Sequence, residues 1–377
     1  MRLIRMRMVK MLSRVMGFSG LVRIGSLFFL SVLSGSAFSL VVLQYHHVST
    51  ETPSSTSISP ALFAEHLQFL ENEKFSVISI ETLPALLDEA RKTGAHLPDK
   101  TAIITFDDGY GSIYEHAWPL LKKRGWPAAV FVNSQPHDVK NPRYMSWAQL
   151  REMSKGGVTI ANHSDSHPHF LRRREGESLS GWQQRREAEI AFAQKRIQKE
   201  IGRAVKMYAH TYGEYDEALL KHLSDKGYLA FGQQSGPLSL ESHPQLLPRF
   251  PFGGVYGGDD LAAKLYSLPF PKLTAMVQDS QGRLLVNPEL PLGEHQPVLT
   301  LSSPILRFSK QAQCFASGQG AMAVQLKGSS LVARPAGPLP VGRSRYNCTV
   351  HAGGGRFYWY SHVFIRRLNS GAWYQEY

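Results

Sequence analysis

The sequence has only two cysteines, Cys314 and Cys348, and both lie towards its C-terminal end. It contains no Cys-x-x-Cys pair, which argues against a thiolate zinc site and against a redox motif. If the protein is exported, we expect the two cysteines to form one disulfide; two unpaired buried thiols are the alternative.

Acidic residues are absent from the first 39 positions, which hold six of the 42 basic residues. The formal net charge of +12 therefore overstates the charge of the rest of the chain, where 36 basic residues face 30 acidic ones. That remainder contains no basic helix and no RNA-binding motif. We therefore expect no nucleic-acid partner.

The N-terminal segment has the pattern of an export signal. Its basic part precedes the apolar run Leu27–Leu33, and Ala37-Phe38-Ser39 fits a small-x-small cleavage site. We predict that residues 1–39 are a signal peptide and that the protein is secreted or periplasmic, with no stable membrane insertion after cleavage. An uncleaved anchor is the alternative, because Ile24–Leu43 has about the length of a membrane span. We disfavour it because Leu40–Gln44 is needed as a buried strand.

Apolar strands and amphipathic helices alternate from Leu40 to about residue 265. This alternation is typical of a parallel sheet, and seven or eight such units predict an α/β barrel over residues 40–268. Helical periodicity then fades, and short β-rich runs are separated by glycine, proline and serine. This change predicts a small all-β, sandwich-like accessory domain over residues 269–377.

Two adjacent carboxylates, Asp107 and Asp108, follow the apolar run Ala102–Ile104. Gly109 ends this predicted strand, so both lie at the carboxyl end of a strand, where α/β folds place their chemistry. Adjacent side chains at a strand end diverge, so one carboxylate can bind a metal while the other stays free as a base. A turn that uses Asp only for capping is the alternative.

A pair of histidines, His163 and His167, follows the predicted strand Val158–Ala161. Pro168 disfavours a helix at His167, so we expect a loop here. Two imidazoles and one carboxylate suit a divalent transition metal and leave positions open for water and substrate. His169 could replace His167 as a ligand, and an ordinary surface loop is the alternative for the pair.

Two stretches resemble known motifs: Thr105-Phe106-Asp107-Asp108-Gly109 and His163-Ser164-x-x-His167-Pro168. Together they are similar to the first two motifs of the NodB-homology polysaccharide deacetylases, carbohydrate esterase family 4. The resemblance covers roughly residues 40–250. It implies a distorted (β/α) barrel and metal-dependent removal of N- or O-acetyl groups from a glycan.

The same resemblance implies a role for each motif residue. Asp107 would be the general base, and Asp108, His163 and His167 would be the ligands of a divalent metal. Zinc is the default for such a ligand set, while nickel, cobalt or iron would fit the same ligands.

A third motif is matched only in part. Thr211-Tyr212-Gly213 resembles the stretch whose Tyr backbone N–H helps to hold the oxyanion. The family carries an Arg three residues before that Tyr, where it orients the base, but here the position is Ala209. We expect Arg249, in Pro248-Arg249-Phe250, to supply the guanidinium from another strand. The acidic-Trp fourth motif of the family is not visible.

The family's last motif, a Leu-x-x-His whose His acts as acid, has no convincing copy near residue 250. Leu43-Gln44-Tyr45-His46 has that spacing at the start of the chain. This resembles the permuted arrangement of the poly-N-acetylglucosamine deacetylases, which also lack the third-motif Arg. We therefore expect His46 to be the acid. His47 is the competitor, but strand alternation turns it away from where His46 points.

The sequence thus predicts a metal-dependent hydrolase that removes N-acetyl groups from an acetylated polysaccharide containing N-acetylglucosamine, with poly-β-1,6-N-acetylglucosamine favoured. Peptidoglycan, chitin oligomers and other capsular sugars stay open as substrates. A non-catalytic secreted glycan-binding protein on a deacetylase-like barrel is the alternative, against which the intact motif residues argue. A glycosidase would need two carboxylates across a sugar, and no second acid stands out at a strand end.

Overall fold

The computed structural model describes residues 39–254, 258–309 and 311–375. The predicted signal peptide, apart from Ser39, lies outside these residues. Within them, no helix is both long and apolar enough to cross a membrane.

The part of the chain up to Leu265 alternates short strands with helices, as the sequence predicts. Its strands are β1 (Leu40–Tyr45), β2 (His47–Val48), β3 (Ser57–Ile58), β4 (Ser76–Val77), β5 (Thr101–Asp108), β6 (Ala128–Val132), β7 (Val158–Asn162), β8 (Met207–Ala209), β9 (Leu229–Phe231) and β10 (Phe250–Pro251). Its helices are α1 (Pro60–Asn72), α2 (Leu83–Thr93), α3 (Trp118–Arg124), α4 (Ser134–Asp138), α5 (Trp147–Lys155), α6 (Leu179–Ile201), α7 (Glu217–Asp225) and α8 (Gly258–Leu265).

Parallel strands in the order β10-β1-β5-β6-β7-β8-β9 form the main sheet, with β4 paired to β5. All residues of β1 and β5 are buried, because helices cover one face of the sheet and the barrel interior lies on the other. Alternate residues of β1 accordingly enter two different apolar clusters, Val41 and Leu43 in one and Leu40 and Val42 in the other. The predicted barrel is confirmed as this curled parallel sheet.

The carboxyl ends of neighbouring strands lie side by side in this sheet. The register pairs Gln44 with Thr105, Asp108 with Val132, and Val132 with Asn162. Polar residues that follow β1, β5 and β7 are therefore brought to one edge of the barrel, although the chain separates them by about 60 residues each. This edge carries the candidate site.

The rest of the described chain is all β apart from one short 3₁₀ turn, Pro304–Phe308. Its strands are β11 (Thr274–Gln278), β12 (Val298–Ser302), β13 (Ala312–Ala316), β14 (Gly320–Ala321), β15 (Ala323–Lys327), β16 (Ser330–Arg334), β17 (Gly342–Gly353) and β18 (Arg356–Arg366). They form two antiparallel sheets, β11-β12-β16-β15 and β14-β13-β17-β18, which share one apolar core. The β-rich character is confirmed, and the exact boundary at residue 269 stays a prediction.

The two cysteines lie directly opposite each other on β13 and β17, and the structure joins them in a disulfide. This agrees with the pairing expected from the sequence. The β-rich region also contacts the barrel, because the Leu268 N–H donates to the Phe357 carbonyl at 2.7 Å and Trp359 packs edge-on against Phe250.

Candidate active site

A cluster of one carboxylate and two imidazoles lies at the carboxyl edge of the barrel. Asp108 ends β5, whereas His163 and His167 lie in the loop after β7. The Nε2 atoms of both histidines lie 3.3 Å from Oδ1 of Asp108. The ligand atoms of all three residues lie within 4.8 Å of one another, as a single bound cation would require.

The donor set fits a divalent transition metal. Bonds of about 2.0–2.2 Å at tetrahedral angles separate two ligand atoms by roughly 3.3–3.6 Å, and the two histidine–Asp108 separations are 3.3 Å. His163 is oriented by a hydrogen bond of 2.9 Å from its Nδ1 to the Ala209 carbonyl. Because a carbonyl only accepts, Nδ1 carries the proton and Nε2 presents its lone pair to the cluster.

The protonation states of the cluster also suit metal binding. Burial lowers the pKa of His167 to about 4, so this imidazole is neutral near pH 7. Burial by itself would raise the pKa of Asp108, but it is outweighed by a second proton on His163, at Nε2, which donates to Asp108 and which a metal would displace, and by the charges that protonation gives His167 and His163. The pKa of Asp108 therefore lies well below its usual range, and the carboxylate is ionised.

Asp107, the predicted base, is fully buried and accepts three hydrogen bonds. Arg249 donates from Nη1 to Oδ1 and from Nη2 to Oδ2, and Gln44 donates from Nε2 to Oδ2, each at 2.7 Å. Burial would raise the pKa of Asp107, but the Arg249 charge opposes it most strongly and the net shift is downward. The structure thus places the guanidinium of Arg249 against Asp107, where the sequence analysis expects it.

The two candidate acids, His46 and His47, point in different directions. Nε2 of His46 lies 4.0 Å from Oδ2 of Asp107. The His47 ring instead stacks on Tyr110, with ring centroids 3.6 Å apart. Of the two, His46 is therefore the one that faces Asp107.

Tyr212 lies in a short 3₁₀ turn, Thr211–Gly213, after β8. Its ring packs edge-on against His167 with centroids 4.4 Å apart and stacks on His169 at 3.9 Å. Nδ1 of His169 lies 2.8 Å from Oε1 of the buried Glu214. His169, the alternative ligand, therefore contacts Glu214 and Tyr212 and is not part of the cluster.

The backbone of the site is unusual. Of the eight non-glycine residues with positive φ in the described ranges, four belong to this edge: Asp108 (72°), Ser164 (70°), His167 (55°) and Tyr212 (55°). Left-handed conformations cost free energy for such residues and concentrate at functional sites. The fold therefore imposes these conformations on two residues of the cluster and on Tyr212.

Sequence reasoning did not find two of the residues that shape the site. Gln44 carried a signal, since it is the one polar residue in the buried strand LVVLQY. His137 carried none, because its position depends on the loop after β6. Its ring lies under Gly109, where an added Cβ would come within 2.8 Å of Cε1 and Nε2, and its Nδ1 donates to the Met145 carbonyl. Gly109, with φ of 84°, is required there on both counts.

Comparison with known sequences identifies the barrel. The sequence profile of the family described as polysaccharide deacetylase matches residues 94–231, which include the cluster, Asp107 and Tyr212. The poly-beta-1,6-N-acetyl-D-glucosamine N-deacetylase of Escherichia coli K12 is 23% identical over 245 residues, covering 55% of this chain and 36% of that protein. The Staphylococcus aureus MSSA476 protein of the same name is 24% identical over 213 residues, covering 54% of this chain and 71% of that protein.

A solved structure shows the same fold. The Streptococcus pyogenes deacetylase PplD, in complex with acetate, superposes with a TM-score of 0.53 at 20% identity and covers 61% of this chain and 99% of that chain. The chain spans only about a third of the length of the E. coli relative. The profile match over residues 94–231, with the relatives, shows that the barrel contains a polysaccharide deacetylase domain of the NodB, or carbohydrate esterase family 4, type, and the solved structure agrees with it in fold.

Proposed function

We propose that this protein is a metal-dependent hydrolase that removes N-acetyl groups from a polysaccharide containing N-acetylglucosamine, with poly-β-1,6-N-acetylglucosamine as the favoured substrate. One observation carries the proposal: the ionised, buried Asp107 is adjacent in sequence to Asp108, which forms the cluster with His163 and His167. The names of the E. coli and S. aureus relatives support the choice of substrate.

The cluster would hold the metal through Asp108 Oδ1 and the Nε2 atoms of His163 and His167. When bound, a divalent cation there polarises an acetamide carbonyl and lowers the pKa of a coordinated water towards neutrality. Zinc is the metal we expect, and nickel, cobalt or iron would suit the same three ligands.

The chain's own groups move the protons. Asp107 accepts a proton from the attacking water, and its three hydrogen bonds with Arg249 and Gln44 hold the carboxylate in one orientation. The backbone N–H of Tyr212 donates to the oxyanion of the tetrahedral intermediate. His46, whose Nε2 lies 4.0 Å from Oδ2 of Asp107, gives a proton to the nitrogen as the C–N bond breaks, because an amine leaves only when protonated.

Acetate release from defined polymers tests the proposal. The purified chain is incubated with β-1,6- and β-1,4-linked N-acetylglucosamine polymers, with and without a chelator, beside Asp107→Asn. Asp88→Asn is the matched control, since Asp88 lies on the exposed face of α2 and pairs with Lys92. We expect the wild type to release acetate. The chelator and Asp107→Asn should each abolish this release, and Asp88→Asn should leave it unchanged. Folded, metal-loaded protein that binds these polymers but releases no acetate would support the glycan-binding alternative.

We also propose that the protein acts outside the cytoplasm, on the basis of the predicted signal peptide. Expression of the full chain in a Gram-negative host followed by fractionation tests this directly. We expect a protein that begins near residue 40 in the periplasmic or extracellular fraction, as N-terminal sequencing would show. A full-length chain in the membrane fraction would instead support the uncleaved anchor.

A further inference from the structure

A cavity is lined jointly by residues of the barrel and of the β-rich region. Its volume is about 370 Å³, within the range of about 300–1,000 Å³ that small-ligand sites in proteins occupy. Its lining includes Gln234, which follows β9, and Trp359 of β18, and it opens to solvent beside the exposed Glu241. Of the described residues that line it, none belongs to the cluster and none is a predicted catalytic residue.

Three side chains of this lining carry a buried polar atom that has no hydrogen-bond partner. Among the described residues, Oε1 of Gln234, Nε1 of Trp359 and Oγ of Ser361 have none. The large majority of buried side-chain polar atoms in folded proteins are hydrogen-bonded, so three unmet atoms around one cavity point to a group that enters it. The amide oxygen only accepts, the indole N–H only donates and the hydroxyl does both, so that group needs donors and acceptors.

The free edge of β18 adds backbone groups to the same lining. β18 is the last strand of its sheet. The N–H groups of Trp359 and Ile365 donate to carbonyls outside that sheet, at 2.9 and 2.8 Å, so alternate residues of β18 direct their backbone groups away from β17. Ser361 and Val363 lie between these two contacts with the same orientation, and both line the cavity. No backbone hydrogen bond in the described part of the chain joins the free edge at either residue.

The chemistry of the lining suits a neutral, hydroxylated ligand. Of the described residues that form it, none is a Lys or an Arg, and the one carboxylate, Glu241, already accepts a hydrogen bond from the Ser239 hydroxyl. Burial lowers the pKa of His362 to about 4, so this imidazole is neutral near pH 7. Trp359 contributes an indole, which combines an apolar ring with an N–H donor. A polyanionic ligand would therefore find no cation in this lining.

We propose that this cavity is a second glycan-binding site, which takes up an N-acetylated sugar unit of the polymer through its acetamido group. This inference rests on the proposed function for the choice of polymer. The acetamido carbonyl accepts from Nε1 of Trp359 or from a free N–H of β18, and the acetamido N–H donates to Oε1 of Gln234 or to a free carbonyl of β18. The sugar hydroxyls supply the remaining donors and acceptors, including a partner for Ser361. Other units of the same polymer stay free to enter the candidate active site.

Titration with defined oligomers tests the inference without turnover. The full chain is kept inactive with a chelator and titrated calorimetrically with a pentamer of β-1,6-linked N-acetylglucosamine. The matched ligand is a β-1,6-linked pentamer of glucose, which keeps the linkage, the neutral charge and the hydroxyls but lacks the acetamido groups. We expect the acetylated pentamer to bind at least about fivefold more tightly, as two additional neutral hydrogen bonds would give.

Two substitutions assign that binding to the cavity. Ser361→Ala removes only the unmet hydroxyl, and Trp359→Phe removes the indole N–H and keeps an aromatic ring. Each should weaken binding of the acetylated pentamer about three- to tenfold, the effect of one neutral hydrogen bond. Ser361→Ala should not lower the melting temperature, because its Oγ has no partner among the described residues. Ser344→Ala is the matched control and should change nothing, because Oγ of Ser344 is also buried and unpaired within the described ranges but Ser344 is not part of the lining.

Hydrogen exchange followed by mass spectrometry locates the bound sugar. Peptides that cover residues 359–365 should gain protection with the acetylated pentamer, because the free N–H groups of β18 then donate to it. Unchanged exchange there at saturation, equal affinity for the two pentamers, or affinities of Ser361→Ala and Trp359→Phe both within about twofold of wild type would overturn the inference and indicate a cavity that holds only water. A chain that binds the acetylated pentamer through Ser361 but releases no acetate would contradict the proposed function alone.

Discussion

Replacing Arg249 by Met is the most informative single change in the barrel. The substitution keeps a long side chain but removes the guanidinium that donates twice to Asp107 and once, through Nε, to the Gly232 carbonyl. Arg249 and Asp107 are both fully buried, so water cannot replace the lost hydrogen bonds. In the variant, the buried carboxylate of Asp107 therefore loses two of these three side-chain hydrogen bonds and keeps the one from Gln44.

The expected cost is large. Removing one partner of a buried ion pair destabilises a protein by about 3–5 kcal/mol, because the other charge stays buried without compensation. The same substitution at the exposed Arg151, which pairs with Glu200 at 2.9 Å, should cost less than about 1 kcal/mol. Arg151→Met is therefore the matched control.

The cost should depend on pH with a definite sign. In the wild type the pKa of Asp107 is below its ordinary value. The ion pair therefore contributes its full stability at pH values above the ordinary pKa of an aspartate. This contribution is lost only as the pH falls through the lowered pKa of the folded state. Without Arg249, burial raises the pKa of Asp107 with less opposition. The folded variant then binds a proton more readily than the unfolded chain and gains stability as the pH falls, so its deficit should be larger at pH 7.5 than at pH 5.

Urea unfolding in the presence of a chelator measures these free energies without a contribution from metal. A double-mutant cycle with Asp107→Asn isolates the interaction between the two residues, and the double variant should be more stable than the sum of the single effects implies by about 1–3 kcal/mol. Any of three results would refute the reasoning. The first is an unfolding free energy of Arg249→Met within about 1 kcal/mol of the wild type at pH 7.5. The others are strict additivity in the cycle and a stability deficit that grows as the pH falls.

Three other substitutions, two of them with a control variant, test the remaining geometry. Asp108→Asn should abolish stoichiometric metal uptake measured by elemental analysis, while His169→Ala should retain it because His169 contacts Glu214. His46→Gln should lower kcat by about 10²–10⁴, whereas His47→Gln, whose native ring stacks on Tyr110, should lower it less than tenfold if His46 is the acid. Gly109→Ala should destabilise the fold by about 1–3 kcal/mol in thermal unfolding, because its φ is positive and a Cβ would meet the His137 ring; a fully stable Gly109→Ala would show that the turn can rearrange.

The sequence predicted strands best where burial alone decides them. The continuous apolar run Ala128–Val132 predicts a strand, and apolar residues near helical period predict a helix over Pro60–Asn72. The structure has β6 and α1 at these bounds, because both signals are local. The sequence after Gly109 predicts one helix over Ser112–Lys123, but the structure has a π-helical stretch, Ile113–Ala117, followed by α3. Pro119 has no N–H to continue the α-helical hydrogen-bond pattern, which explains the wider turn before it.

The site was predictable to the extent that its residues lie in local motifs. The Asp-Asp-Gly turn and the two histidines of the loop after β7 could be read from type and spacing. The choice between His167 and His169 could not be made from the sequence, because it depends on the positive φ of His167 and on the contact of His169 with the distant Glu214.

The closure of the barrel explains how an arginine so far along the chain contacts Asp107, the residue that the family resemblance would pair with an arginine at position 209. Phe231, at the end of β9, bridges to Leu247, and after two intervening residues the chain enters β10, which pairs with β1. The short segment between these contacts spans the gap between the first and last strands of the sheet. Arg249 lies in that segment, and its side chain reaches inward to Asp107 and also donates to the Gly232 carbonyl.

An arginine at position 209 would approach Asp107 from the β8 side. The barrel therefore offers two positions from which an arginine can contact Asp107, and a chain with an arginine in the closing segment does not require one at position 209. Moving the arginine back, as Ala209→Arg with Arg249→Met, should therefore recover part of the stability lost in Arg249→Met if the two routes are equivalent, and no recovery would show that only the closing segment can place the charge.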